Sequence, residues 1–251
     1  MRISKAISIF TVIFCFSIVN QLKAQDESPI SLGVDINSRY VWRGTDFGGS
    51  PSIQPSLAFT KSGFTVGTWG AYTTNINSPA QEADLFLGYT FLNKMLSITF
   101  TDYFFPADGA ENKYFEYGNS TSHIFEASIS FNGTEDLPLS FLVGSLVYGN
   151  DKNRNGENRY STYCELAYSP EIKGVPISVF CGLNLLAPDD ADLNLPVPVN
   201  GFYGNKLGVV NLGLSATKNI QITEKFVLPL CVSLITNPMK GNIFLVAGIS
   251  F

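Results

Sequence analysis

The sequence predicts an all-β fold, a transmembrane antiparallel up-and-down β-barrel of about twelve strands. Three features of the chain predict it. Twelve stretches of about ten residues, nearly all of them, alternate apolar with polar side chains, their connections alternate between short and long, and the last stretch ends at Phe251. A period of two residues is typical of strands, and about ten residues suffice for a tilted strand to cross a bilayer.

The first 24 residues have the layout of a cleavable secretory signal. Two basic residues precede an apolar run over residues 6–19, and the tripeptide Leu22-Lys23-Ala24 precedes the expected cleavage point. We therefore expect a signal peptide at residues 1–24 and a single barrel domain at residues 25–251. The remaining chain carries no apolar stretch of about 20 residues, so a membrane role requires strands.

Charge and cysteine content narrow the function. The formal charge of −5 becomes −8 when the three basic residues of the leader are removed, which argues against nucleic acid as a partner. Cys164, Cys181 and Cys231 remain, an odd number without the spacing of a Cys/His metal site. We therefore expect no disulfide framework, no metal and no cofactor.

The first predicted strand, residues 32–43, shows the alternation most clearly. Its two faces differ sharply in polarity. One face holds Leu32, Val34, Ile36, Tyr40 and Trp42, and the other holds Asp35, Asn37, Arg39 and Arg43. No helix would produce this period, so we expect one continuous strand from Leu32 to Arg43.

Eleven further strands follow by the same test. They cover residues 51–61, 63–74, 81–92, 94–104, 122–132, 138–149, 159–169, 175–186, 206–217, 226–236 and 242–251. The strand at 138–149 is apolar on both faces, so alternation does not fix its register. If the turn at 170–174 is symmetric, Cys164 and Cys181 lie directly opposite each other, close enough for a cross-strand disulfide.

The connections indicate a barrel rather than a sandwich. Short turns at 61–63, 93–94, 132–137, 170–174 and 218–225 alternate with connections at 45–50, 75–80, 105–121, 149–158, 187–205 and 237–241, three of which are long polar loops. Short turns on one rim and longer loops on the other are typical of bacterial outer-membrane barrels. A soluble two-sheet sandwich is the alternative.

Barrel size indicates which face points inward. Eight strands already make an interior just filled by side chains, so twelve strands with an apolar interior would leave a void. We therefore expect the polar face inside. The charged residues predicted to line the pore are Asp35, Arg39, Arg43, Glu82, Asp84, Glu126, Arg159 and Glu165. Five acids against three arginines indicate a slightly acidic pore. The alternative, to which the sequence gives equal weight, is that these charges brace a lumen filled by side chains.

Several segments resemble the TorF-type porins, a conserved family of exported proteins. The segments are Tyr40-Val41-Trp42-Arg43-Gly44, Pro51-Ser52-Ile53-Gln54-Pro55, Gly63-Phe64-Thr65-Val66-Gly67-Thr68-Trp69, Glu82-Ala83-Asp84, Gly88-Tyr89, Asp102-Tyr103-Phe104-Phe105-Pro106 and residues 163–170. The resemblance covers roughly residues 30–251 and is strongest in the first third. It implies an outer-membrane channel of unassigned substrate, and it brings no catalytic residues.

The sequence therefore predicts a bacterial outer-membrane channel for passive diffusion of small hydrophilic solutes. Its expected partners are outer-membrane lipids, those solutes and the barrel-assembly machinery, which would read the C-terminal strand ending at Phe251. Two alternatives stay open. One is a non-conducting structural or adhesive barrel, and the other is an outer-membrane lipid hydrolase that uses His123, the single histidine. The His-x-Ser-Asn-Gly motif of outer-membrane phospholipase A is absent, so we do not expect an enzyme.

Overall fold

The computed structural model describes residues 28–77, 80–106, 113–118, 121–134 and 136–251. The expected signal peptide at residues 1–24 lies outside these described residues. None of the helices in the described ranges is long and apolar enough to cross a membrane.

The described chain forms fifteen strands and one short helix. The strands are β1 (Ile30–Asn37), β2 (Tyr40–Trp42), β3 (Thr45–Phe47), β4 (Ser52–Lys61), β5 (Phe64–Thr73), β6 (Gln81–Phe91), β7 (Leu96–Phe104), β8 (His123–Phe131), β9 (Leu139–Gly149), β10 (Thr162–Tyr168), β11 (Glu171–Ile172), β12 (Val175–Asn184), β13 (Gly208–Gln221), β14 (Val227–Asn237) and β15 (Asn242–Ser250). The helix α1 (Asp190–Leu193) lies between β12 and β13.

Twelve of the strands close into one antiparallel ring. The order is β1, β4, β5, β6, β7, β8, β9, β10, β12, β13, β14 and β15, and β15 returns to pair with β1. The two-residue strand β11 only extends the turn before β12. Strands β2 and β3 pair with each other alone. The predicted fold class, an antiparallel barrel of about twelve strands, is confirmed, and the sandwich is excluded.

The apolar faces of the ring point outward and the polar faces inward. Leu32 is 72% exposed and Leu245 is 70% exposed, whereas Asp84 and Glu126 are each 1% exposed. The outward set also includes Val34, Ile36, Leu85, Leu87, Ile129 and Ile243. The predicted orientation of the two faces is therefore confirmed. An apolar belt of this extent in water would be a large exposed patch, far beyond the few hundred Å² normal for a soluble monomer.

Most predicted strands agree with the observed ones to within a few residues, but the first does not. Strand β1 ends at Asn37, and the chain from Tyr40 to Phe47 folds into a separate hairpin. The hairpin turns at Arg43 and Gly44, whose φ angles are 47° and 74°. Two consecutive positive φ angles make the tight turn that favours antiparallel pairing of short strands. The prediction of a continuous strand to Arg43 is wrong.

Strand β9, whose register alternation does not fix, contains a local irregularity. Phe125 on β8 pairs with Tyr148, and the next residue, Glu126, pairs with Leu146. Val147 is therefore an extra residue, a β-bulge that shifts the alternation of β9 by one position. The stretch is apolar on both faces because Leu142 and Leu146 point inward and pack in or against the buried hydrophobic cluster, while Phe141 and Tyr148 are exposed on the outer face.

The register predicted for the two cysteines is wrong by two residues. Cys164 pairs with Leu183, and Cys181 pairs with Leu166, because the chain reverses in a two-residue turn at Lys173 and Gly174 rather than a symmetric five-residue turn. Both thiols lie on the outer face of neighbouring strands, and both are free. Diagonal neighbours of this kind are about 7–8 Å apart, too far for a disulfide.

Candidate functional site in the lumen

A hairpin that leaves the wall and crosses the barrel interior forms the centre of the candidate site. We call residues 40–47, strands β2 and β3 with their turn, the plug hairpin. The last contact of the preceding chain with the wall is at Ser38, whose N–H donates to the Ala247 carbonyl at 2.8 Å. In the plug hairpin the side chains of Tyr40, Trp42 and Arg43 are buried inside the ring, and the remaining side chains are half-buried.

The tip of the plug hairpin docks on β13 and β14. Asn237 Nδ2 donates to the Gly44 carbonyl at 3.1 Å. A Cβ placed on Gly44 would lie 1.9 Å from the carbonyl oxygen of Val210, so the wall leaves room only for glycine. The positive φ of Gly44 favours the same residue type. Two independent constraints therefore fix glycine at the tip.

The other end of the plug hairpin contacts the opposite side of the ring. Tyr40 donates a hydrogen bond from its hydroxyl to Glu82 on β6, and its ring centroid lies 5.5 Å from that of Trp69 on β5. Trp42 lies between, with its ring centroid 5.4 Å from that of Tyr103 on β7. The hairpin thus spans the lumen from β5 and β6 to β13 and β14.

Arg43 at the hairpin turn forms a buried ion pair with Glu126 on β8. The guanidinium donates from both terminal nitrogens to the carboxylate, and the Nη2–Oε1 bond is 2.9 Å long. Both side chains are almost fully buried. Arg43 Cζ lies 4.4 Å from the ring centroid of Tyr163 and 4.6 Å from that of Trp42, which adds cation–π attraction. A two-bond pair of this geometry holds both partners in one orientation.

Tyrosine hydroxyls complete the coordination of Glu126. Tyr103 donates to Oε1 at 3.3 Å, and Tyr203 donates to Oε2 at 3.2 Å. Tyr203 also accepts a hydrogen bond from Arg43. The buried carboxylate is therefore well satisfied, as burial of a charge requires.

Tyr203 belongs to the loop between β12 and β13, residues 185–207, which folds over the plug hairpin. Arg159 holds this loop through Nη2, which donates to Asp192 Oδ2 at 2.7 Å and to the Val199 carbonyl at 2.8 Å. Burial alone would raise the pKa of the Asp192 carboxyl, but hydrogen bonds from the Arg154 backbone and from Arg159 outweigh it and lower the pKa. Through Tyr203 the loop contributes directly to the interior.

The structure places the eight predicted pore-lining residues in two groups. Five of them, all acidic, lie on wall strands and point inward: Asp35, Glu82, Asp84, Glu126 and Glu165. The three arginines lie off the wall. Arg43 is on the plug hairpin, Arg39 precedes it and pairs with Asp46, and Arg159 precedes β10 in a loop. Only Arg43 and Glu126 meet as an ion pair, and a role in lining a conducting pore stays a prediction.

Sequence reasoning missed the aromatic part of the site. Tyr40 and Trp42 share the parity of Leu32, so alternation assigned them to the outer face, whereas both are buried inside. Tyr203 gave no periodic signal because it lies in a loop. The dipeptide Arg43-Gly44 and the following Gly48-Gly49 were the available signals of a tight turn.

His123 lies on the outer face of the ring, beneath the segment 113–118. Its Nδ1 lies 2.7 Å from Asp102 Oδ1, and its Nε2 contacts the backbone carbonyl of Tyr114. Tyr117 covers the ring, with centroids 4.6 Å apart. In this arrangement both ring nitrogens face oxygen acceptors, whereas a hydrolase histidine presents one nitrogen to a serine hydroxyl.

Comparison with known proteins gives one family. A protein-family model described as "Bacterial protein of unknown function (Gcw_chp)" matches residues 23–186, about two thirds of the chain. The match includes the plug hairpin, Glu82, Asp84, Glu126 and Glu165, and it ends before Tyr203 and the last three strands. No curated protein matches the chain significantly.

Proposed function

Because the chain belongs to Gcw_chp, a family of bacterial proteins of unknown function, we propose its function from its architecture. It is a bacterial outer-membrane channel of the porin type, through which small hydrophilic solutes diffuse passively. The observation that carries this proposal is the closed twelve-strand ring with an apolar outer face and a polar inner face. In hydrocarbon only a closed ring satisfies every strand hydrogen bond.

The inner face toward the short-turn rim supports a water-filled passage. Small hydroxyl side chains line it and hydrogen-bond to each other across neighbouring strands. The pairs are Thr60 with Thr65 at 3.0 Å, Thr90 with Ser97 at 3.0 Å and Ser169 with Ser178 at 2.9 Å. Polar interiors of this type are typical of outer-membrane channels. The plug hairpin and Tyr203 then form the narrowest level of the passage.

A non-conducting structural barrel is the second candidate, and one observation favours it. The buried pair of Arg43 and Glu126 fastens the plug hairpin across the lumen. If the hairpin stays closed at all times, the interior serves only to brace the wall. The resemblance to the TorF-type porins supports the channel.

The proposal includes insertion by the barrel-assembly machinery and assigns no catalytic activity. Strand β15 presents Ile243, Leu245 and Ile249 outward and is followed by Phe251, the pattern of a C-terminal assembly signal. The lipid-hydrolase alternative needs a serine at His123, whose ring nitrogens contact Asp102 and the Tyr114 carbonyl.

Single-channel recording in planar bilayers tests the proposal. The parent protein is compared with a variant in which residues 40–47 are replaced by glycine and serine, and with Ser233→Ala as a matched lumenal control. We expect small conductance steps in the parent and in the control, and clearly larger steps in the hairpin variant. Absence of steps in all three proteins would reject the channel, and equal steps would reject the hairpin as its narrowest level.

A further inference from the structure

Two neighbouring acids on β6 lie buried inside the ring. Glu82 and Asp84 are two residues apart, so both point inward, and they are only 3% and 1% exposed. The residues paired with Asp84 on the adjacent strands are Trp69 on β5 and Tyr103 on β7. Asp84 therefore lies between two large aromatic side chains, away from bulk water.

No ion pair in the described part of the chain compensates these two carboxylates. Arg43 is engaged by Glu126, and Arg39 is engaged by Asp46. Asp102 on β7 adds a further negative charge nearby and is itself paired with His123. Two adjacent buried carboxylates without a cation repel each other strongly, because the interior screens charge far less than water does.

The hydrogen bonds around the two acids are also incomplete. Glu82 accepts from the Tyr40 hydroxyl. Asp84 has the Glu82 carboxyl and the backbone of Phe104 as polar neighbours. Neither of its carboxylate oxygens makes a hydrogen bond of ordinary geometry within the described residues. A buried charge with so few partners is unfavourable, and a ligand that supplies positive charge would stabilise it.

We propose that Glu82 and Asp84 bind one hard divalent cation of the magnesium type. Carboxylate oxygens are its preferred protein ligands, and a double positive charge neutralises the pair. The described residues contain no group of three or more metal-ligating side chains. Magnesium is the cation commonly held by one or two carboxylates while it keeps several water ligands. Tyr40 on the plug hairpin positions Glu82, so the site is complete only when the hairpin is in place.

Manganese(II) binding measured by electron paramagnetic resonance tests this site, since Mn²⁺ replaces Mg²⁺ on carboxylates. The full chain is refolded in detergent with Mn²⁺, and loss of the free-ion signal reports binding. We expect about one Mn²⁺ per chain, displaced by excess Mg²⁺, and at least tenfold weaker binding in Asp84→Asn. Glu165→Gln is the matched control, because Glu165 is a buried inward carboxylate that already accepts from Asn211 and Tyr163.

A second measurement distinguishes loss of cation binding from misfolding of a variant. Mg²⁺ should raise the thermal unfolding midpoint of the parent and of Glu165→Gln, and it should leave Glu82→Gln and Asp84→Asn unchanged. If the two acids share a proton instead, Mn²⁺ does not bind the parent and Mg²⁺ does not shift its midpoint, which overturns the proposal. Equal binding by Asp84→Asn overturns it as well. The site does not depend on conduction, so the bilayer recordings and this test fail independently.

Discussion

At the scale of single residues, Arg43 determines how the interior is organised. It joins a carboxylate, a tyrosine hydroxyl and two aromatic faces that come from β2, β8, β10 and the 185–207 loop. Each partner is buried, so none can exchange this contact for water. Removing one member leaves the others with an unmet charge or hydrogen bond, which is the usual source of large mutational effects.

The first prediction concerns this ion pair. Glu126→Gln leaves the Arg43 guanidinium buried without a countercharge, and we expect a loss of about 3–5 kcal/mol in the free energy of unfolding. Arg39→Gln removes a pair whose arginine side chain is 41% exposed, and it should cost less than about 1 kcal/mol. Urea unfolding in lipid vesicles measures both.

The double variant Arg43→Met with Glu126→Leu separates pairing from packing. It removes both charges and keeps apolar volume, so it should be more stable than Glu126→Gln alone. Comparable losses for Glu126→Gln and Arg39→Gln would show that the buried pair contributes no more than a surface pair.

At the scale of elements, alternation predicted the wall strands and could not predict the plug hairpin. Wall strands have one polar and one apolar face, so polar and apolar residues alternate along their sequence. Tyr40 and Trp42 continue the phase of Leu32 to Ile36, although they contact lumenal side chains instead of the outside. Alternation indicates the polarity of a residue, but it does not indicate which surface that residue contacts.

The candidate site was predictable to the same extent. The five inward acids follow from strand parity, because parity on an established strand determines direction. The partners of Arg43 do not follow, since Glu126 is 83 residues away and Tyr203 is 160 residues away along the chain. Contacts of this range depend on ring closure and on the path of a loop, and neither has a local signature.

The second prediction concerns the 185–207 loop and acid. The pKa of Asp192 is lowered, which means that the folded state favours the carboxylate. This contact therefore stabilises the loop at pH values above the ordinary pKa of aspartate. The stabilisation is lost as the pH falls through the lowered pKa, below about pH 4. The rate at which pepsin cuts the loop, divided by its rate on an unfolded peptide in the same buffer, should therefore rise steeply as the pH falls through that range.

Asp192→Asn is the matched variant for the loop. It cannot titrate and lacks the charge that holds Arg159, so its loop should be cut readily, at a rate that depends little on pH once it is divided by the rate for an unfolded peptide in the same buffer. A parent loop that stays resistant throughout the acid range would contradict the assigned role of the Arg159–Asp192 pair.

At the scale of the whole molecule, the division between an apolar outside and a polar inside determines where charge is tolerated. The third prediction compares Leu85→Arg on the outer face with Ser128→Arg on the inner face. In a bilayer Leu85→Arg should lower the free energy of unfolding by about 2–4 kcal/mol and impair assembly, because the arginine then faces hydrocarbon. Folding yields into vesicles and urea midpoints measure the difference.

The inner-face variant should fold nearly as well as the parent, because it faces the polar lumen. Equal damage by both substitutions would reject a lumen that contains water, and equal tolerance would reject the membrane location of the outer face.

The docking of the hairpin tip has a consequence for how the family can diverge. The family match ends at residue 186, yet the tip rests on β13 and β14, beyond that limit. Its contact with residue 210 is to a backbone carbonyl, which every amino acid carries. The side chain at position 210 can therefore drift in sequence while relatives keep this contact, whereas at positions 203 and 237, where side chains hold the Arg43–Glu126 pair and Gly44, we expect selection to resist that drift.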